Sequence, residues 1–279
     1  MKCVGCDVIA LSKKQKRTIN MLVVLAFSTP IIFAIAMSVA TFLDRRERYV
    51  AFWTLRHSLR NYKILEKLVV FLSMLNFYSI KFLPLLLSSV HYVFHCSELS
   101  TALRKQAKII KTSNATDEIQ VYQILIRCCK LFNESAKVTI FLMLTMDFTE
   151  LYIAIRLLLG RGFSMTTTPK IVESSFTFTC IYVSLIIVVS FAAKIPNTME
   201  QTSASFQELY CSDLLKNKKE VLPQNFGHLM LLKALSELKS VHLTVWDMLK
   251  VDKSLILSFT GCILTFGILI MQIKSDDSD

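Results

Sequence analysis

Apolar residues in this chain gather into five long runs, Asn20–Leu43, Leu68–Phe94, Val138–Leu159, Ser175–Ala193 and Ser254–Ile273, with polar and charged stretches between them. A hydrocarbon layer about 30 Å thick is crossed by about 20 residues of helix rising about 1.5 Å each, so every run reads as a membrane-spanning helix. The first, fourth and fifth hold no charge, the second carries Lys81 at its middle, and the third carries Asp147, Glu150 and Arg156. The connections 95–135 and 195–253 are not loop-like. Leu99 and Leu103, then Ile119, Tyr122, Leu125 and Ile126, recur at helical spacing with charges between them. That pattern predicts two helices joined near Thr112–Thr116, and two more in 198–250 separated by Pro223, the second running almost into the last span. The expected fold is all-α: one polytopic membrane domain over residues 1–279, with helical connections in the cytosol.

Composition narrows the class. At 53% hydrophobic and 19% charged residues with only six glycines, the chain is too apolar for an ordinary soluble domain and too poor in turn residues for an all-β one. A net charge of +11 would suit nucleic acid in a soluble protein, but the basic residues lie between the apolar runs, where they report topology. Segment 160–171 and the tail after Ile273 are poorest in Lys and Arg, which places both outside and leaves 95–135 and 195–253 inside. The arginine-rich stretch 44–67 then falls outside against its charge. Either the run with Lys81 and Pro84 does not cross simply, or a segment is missing. Lys13, Lys14, Lys16 and Arg17 precede a 24-residue run, longer than a signal-peptide core, so an anchor or ordinary span is expected there.

Candidate chemistry lies within the spans. Asp147 and Glu150 are three residues apart and share a helix face, and Lys81 is their natural partner. Ionised groups at that depth cost several kcal/mol unless paired or wet, so the trio reads as a structural ion pair or as the polar part of a ligand cavity. Phe77, Tyr78, Tyr152, Phe176, Phe178 and Tyr182 gather in the outward halves of the spans, as pocket linings do, although membrane packing also uses such rings. Arg156 is near enough to its span's end to snorkel. His91, His95 and Cys96 have metal-compatible spacing but no further ligand, so an interfacial pair is the better reading and no metal is expected. Cys3 and Cys6 form an isolated CxxC, and the eight cysteines show no extracellular disulfide framework. The sequons at Asn114 and Asn133 fall in a connection read as cytosolic and are expected unmodified. No nucleophile elbow, P-loop or dinucleotide fingerprint occurs, so neither an enzyme nor a cofactor is expected.

The final segment is more specific. Asp252-Lys253-Ser254-Leu255 leads into the last run, and Thr265, Phe266, Gln272 and Ile273 close it. This pattern resembles the C-terminal signature of the arthropod gustatory receptor family, a (D/N)-(R/K)-S-L lead-in before a span ending T-Y-x5-Q-F, with Phe266 in place of Tyr and Ile273 in place of Phe. The upstream arrangement of helices over roughly 68–273 is similar too.

That resemblance implies a gustatory- or odorant-receptor-like bundle with a cytosolic N-terminus, an extracellular C-terminus and cytosolic anchor helices. It implies a homo- or hetero-tetramer with related subunits, forming a ligand-gated, non-selective cation channel in the plasma membrane of chemosensory neurons. A small-molecule tastant opens such a channel to permeating cations. Gln272 would line the pore and Leu269, one turn below, would form its hydrophobic constriction; without the resemblance, Gln272 reads equally as an interfacial residue bonding to headgroups. The family has seven spans and this chain shows five, so two N-terminal spans are expected to be lacking, or one to be lost around 44–94. Two other readings stay open. Glu47-Arg48-Tyr49 imitates a G-protein-coupled receptor triplet, against the charge topology, and Lys81, Asp147 and Glu150 could serve a secondary transporter's relay, which would call for an inverted repeat that the sequence does not display.

Overall fold

The structure, a computed structural model, describes residues 13–43, 53–54, 63–113, 116–159, 168–217, 226–245 and 249–276. Its elements run in the order α1 (Lys13–Leu43), α2 (Lys63–Ser113), α3 (Thr116–Leu159), α4 (Thr168–Ala192), α5 (Lys194–Asn217), α6 (Phe226–Ser236), β1 (Thr244–Val245), β2 (Leu249–Lys250) and α7 (Lys253–Asp276). Among the described residues, four helical stretches are long and apolar enough to cross a membrane: Gln15–Leu43, Ile64–Ile110, Ile119–Leu157 and Pro169–Leu215. The apolar stretch of α7, Lys253–Leu269, is shorter. The architecture is that of a polytopic helical membrane protein.

Helix boundaries follow local chemistry. Pro30 and Pro84 lie inside α1 and α2, and the helix continues through both, because a lone proline removes one rung from a long ladder whose other rungs remain. α4 and α5 are parted only at Ala193. Pro196 has no N–H to give the Ala192 carbonyl, and proline is well tolerated in the first turn of the helix that follows.

The stretch expected as one helix up to Leu249 departs from that expectation. α6 stops at Ser236, and the chain then forms an antiparallel pair with Thr244 opposite Lys250 and Val245 opposite Leu249, lengthened by the Val251 N–H donating to the Leu243 carbonyl at 2.8 Å. The reason is readable in Val-His-Leu-Thr-Val at 241–245, which alternates apolar and polar and is rich in β-branched residues. Val241 and Leu243 are buried, while His242 and Thr244 between them are half-buried.

The described residues form two compact units. The first draws on 17–92, 142–188 and 254–279, the second on 1–16, 93–141 and 189–253. In the first, Val70, Met74, Tyr78 and Phe82 recur every four residues on α2 and meet Phe33, Ala34 and Met37 of α1 in a buried cluster. Its outer surface is aliphatic as well: Val24 is 65% exposed, Ile35 51% and Leu257 75%. Surface of that kind is at home against lipid rather than water.

The second unit is amphipathic. Cys96, Leu103 and Ile110 on α2, Ile119, Tyr122, Ile126 and Cys129 on α3, and Ile195, Met199 and Phe206 on α5 are buried at three- to seven-residue spacing. Tyr122 and Phe206 meet edge to face at 5.6 Å. Arg104, Lys105, Arg127, Lys130 and Glu208 on the same helices are exposed, as on a face turned to water.

Candidate functional site

The polar centre of the first unit grows from one face of α2. Tyr78, Lys81 and Phe82 are spaced i, i+3, i+4, so the phenol, the ammonium and the phenyl ring lie together. Lys81 Nζ is 2.8 Å from Glu150 Oε2 of α3 and 5.4 Å from the centre of the Phe82 ring. Glu173 of α4 lies near both Tyr78 and Lys81, close enough for its carboxylate to be attracted to the ammonium. Lys81 thus pairs with Glu150 of one helix and feels Glu173 of another, which offsets part of the cost of holding charge away from bulk water. The side chains of Lys81 and Glu150 remain 23% and 31% exposed.

Asp147 does not join them. It is 1% exposed, on the α3 face that also buries Met143, Leu144 and Leu151, and its Oδ1 has no hydrogen-bond partner among the described residues. Ser174 and Thr177 of α4, both almost wholly buried, likewise have hydroxyl oxygens with no hydrogen-bond partner among the described residues. Further along, Ser184 and Ser89 form a hydroxyl–hydroxyl bond of 3.1 Å. Glu173 escaped the sequence reading because it lies two residues ahead of the apolar run that defined the fourth span. The signal that would have found it is a lone carboxylate at the mouth of a charge-free helix.

The aromatic candidates fall into separate places. Phe33 of α1, absent from the sequence-based set, is the hub: its ring centre lies 4.2 Å from Tyr78, 5.3 Å from Phe82 and 4.5 Å from Phe176. Trp53 extends this cluster through Phe77 at 5.6 Å. These pairs are steeply inclined, the arrangement that ring quadrupoles prefer. Phe178 and Tyr182 stack on one another at 5.9 Å, one turn apart on α4. Tyr182 also bonds to Thr260 of α7 at 3.0 Å, and Tyr152 of α3 meets Phe266 of α7 at 5.7 Å. Tyr152 and Tyr182 therefore hold the terminal helix, whereas Tyr78 and Phe176 pack beside the Lys81 cluster.

α7 is anchored on one side and open on the other. Leu255 and Phe259 are buried, Phe259 lying 3.9 Å from the Phe148 ring. Ser258, Cys262, Thr265, Leu269 and Gln272 are all exposed. Their spacing alternates four and three residues, so they form one straight stripe along the helix. The Thr265 hydroxyl donates to the Gly261 carbonyl at 2.9 Å, and apart from the helix's own nearby backbone and the two chain neighbours, no described residue comes within 4 Å of the position a side chain on Gly261 would take. Of the lead-in residues, Leu255 is buried, Asp252 half-buried, and Lys253 and Ser254 exposed.

The remaining motifs resolve simply. Asn133 accepts from the Thr244 N–H at 2.9 Å and its amide donates to the Thr244 hydroxyl at 3.3 Å, so this sequon asparagine is engaged inside the second unit. His95 lies 3.8 Å from Glu98 and against the Phe132 ring, and the described residues hold no cluster of three metal-ligating side chains. Cys3, Cys6, Glu47, Arg48, Tyr49 and Asn114 lie outside the described residues.

Comparison with known proteins gives structural likenesses only. No family model matches the sequence, and no curated protein matches it. The fold is similar to that of the insect olfactory receptor OR5 from Machilis hrabei, solved in complex with eugenol, with a TM-score of 0.48 and 12% sequence identity over 92% of this chain and 70% of that one.

Proposed function

We propose that this chain is a chemosensory receptor subunit of the gustatory kind, a ligand-gated cation channel of the plasma membrane whose pore is lined by α7. The observation that carries this reading is the exposed stripe Ser258, Cys262, Thr265, Leu269 and Gln272. A helix facing only lipid has no use for four polar or polarisable groups in register, but a helix facing copies of itself across a water-filled axis does. In this reading Gln272 solvates passing cations, and Leu269 forms the apolar ring that closes the path by dewetting. The Asp252-Lys253-Ser254-Leu255 and Thr265–Gln272 signature supports the same assignment.

A tastant pocket fits the Lys81, Glu150, Glu173 and Tyr78 group beside the Phe33 cluster. Apolar walls with a few fixed polar handles suit a small hydroxylated or amino-bearing molecule. Gating then follows from contacts that the ligand makes in only one state. Tyr152 and Tyr182 connect α3 and α4 to α7, which gives a movement at the pocket a direct mechanical route to the pore helix.

Ligand-evoked currents test this. Gln272→Ala should lower single-channel conductance or alter cation selectivity, and Leu269→Ala should produce current without ligand. Unchanged conductance, selectivity and resting leak in both variants overturns the pore assignment. An epitope after Asp279 should be reached by antibody on intact cells; labelling only after permeabilisation favours a G-protein-coupled topology instead.

A further inference from the structure

The second unit contains a cavity of about 220 Å³ between α2 and α5 that the channel reading leaves unused. Arg104 and Lys108 of α2 stand at its rim, one helical turn apart and exposed, and its lining among the described residues includes no carboxylate. Ala107, Thr198 and Thr202 are almost fully buried and give the cavity a closed floor. That floor is pinned by the hydroxyl–hydroxyl bond of 3.2 Å between Ser100 and Thr198. Arg104 is also close enough to Lys194 for the two charges to repel, so that neighbour adds to the positive potential.

The hydroxyl groups define the rest of the chemistry. Thr202 donates its proton to the Thr198 carbonyl at 2.7 Å, and Ser205 donates to the Gln201 carbonyl at 2.9 Å. Ser205 is therefore left as an acceptor, and Thr202, which also neighbours the Tyr122 hydroxyl, keeps one lone pair for an occupant. Donors come from Arg104, Lys108 and the Gln201 amide. A complementary occupant brings anionic oxygen for the cations and hydroxyl protons for α5, and it is no larger than a single ring with its substituents.

We propose that this cavity binds a phosphorylated polyol, its phosphate held by Arg104 and Lys108 and its hydroxyls by Thr202 and Ser205. An arginine fork with a lysine beside it is a strong arrangement for phosphate, and the volume of about 220 Å³ matches a small molecule. The chemistry is shared by a phosphoinositide head group and a free inositol phosphate. The site is independent of the pore and of the tastant pocket, and occupancy would stiffen the contact between α2 and α5.

The full chain in nanodiscs tests it with two probes: soluble inositol trisphosphate added to phosphatidylcholine discs, and discs doped with phosphatidylinositol bisphosphate. Each is read by the thermal midpoint of the protein and by titration. At least one probe should raise the midpoint saturably. Stabilisation by the soluble probe identifies a free head group as sufficient, whereas stabilisation by doped discs alone identifies the membrane lipid. Arg104→Ala/Lys108→Ala should weaken binding by at least about ten-fold, since both charge-assisted contacts to the phosphate are lost. Lys108→Gln and Thr202→Val, which keep side-chain shape, should each weaken it several-fold, while Lys130→Ala on exposed α3 surface leaves it unchanged. Absence of a saturable effect from both probes, or equal affinity in wild type and in the Arg104, Lys108 and Thr202 variants, overturns the proposal.

Discussion

A carboxyl group kept from water needs a cation or a donor, and Asp147 Oδ1 has neither among the described residues, whereas Glu150, three residues on, holds Lys81 at 2.8 Å. The two acids should answer mutation with opposite signs. Asp147→Leu removes an uncompensated buried polar group and should stabilise the protein by about 1–3 kcal/mol. Glu150→Gln weakens the compensation of Lys81 and should destabilise it by about 1–2 kcal/mol, the nearby Glu173 limiting the loss. Thermal midpoints in one detergent decide both, and equal signs would contradict the assignment. The adjacent cysteines divide in the same manner. Cys128 is exposed, while burial pushes the Cys129 thiol up to about 12, with the Cys128 charge adding to the effect. The thiolate is the reactive form, so maleimide at neutral pH should modify Cys128 and leave Cys129 intact until the fold is opened by denaturant. Peptide mapping of the labelled chain reads the outcome directly.

At the scale of elements, the sequence made the helices legible because their signal is long and redundant. The apolar runs mark where helix meets lipid, and the break expected near Thr112–Thr116 matches α2 ending at Ser113 and α3 starting at Thr116. The β1–β2 pair was not legible from helical periodicity, because the apolar stripe of Leu229, Leu232 and Leu235 continues into Val241 and Leu243 with a change of period after Ser236. Its anchor could not be read either, since Asn133 and Thr244 are 111 residues apart. That contact can be weighed. Asn133→Ala strands the Thr244 N–H and removes two bonds, so it should cost about 1–3 kcal/mol, and Asn133 should carry no glycan when the chain is made in a secretory host. A glycan at Asn133, found by enzymatic deglycosylation and a gel shift, would place this part of α3 on the opposite side of the membrane from that expected.

At the scale of the whole molecule, the candidate pocket was half legible. Residue types with chemistry inside a span announced Lys81, Glu150 and Tyr78, but only three-dimensional packing brings in Phe33, Trp53 and Glu173, which come from other parts of the chain. The stripe on α7 concerns an assembly larger than one chain, and it supplies its own reporter. Cys262 is exposed on that stripe, one turn from Ser258 and three residues from Thr265. If four α7 helices surround a common axis, the Cys262 thiols of neighbouring subunits converge, and no other exposed cysteine among the described residues shares the stripe. With Cys3, Cys6, Cys128, Cys180 and Cys211 changed to serine, a short bismaleimide or a mild oxidant should therefore link subunits in pairs through Cys262. Buried Cys96 and Cys129 stay silent in that background. Moving the cysteine to the anchored face, as Cys262→Ser with Phe259→Cys, should abolish the linked species. Cross-linking that is equally strong from both faces would mean that α7 meets its copies at random in the bilayer, and cross-linking from neither would remove the shared axis on which the pore depends.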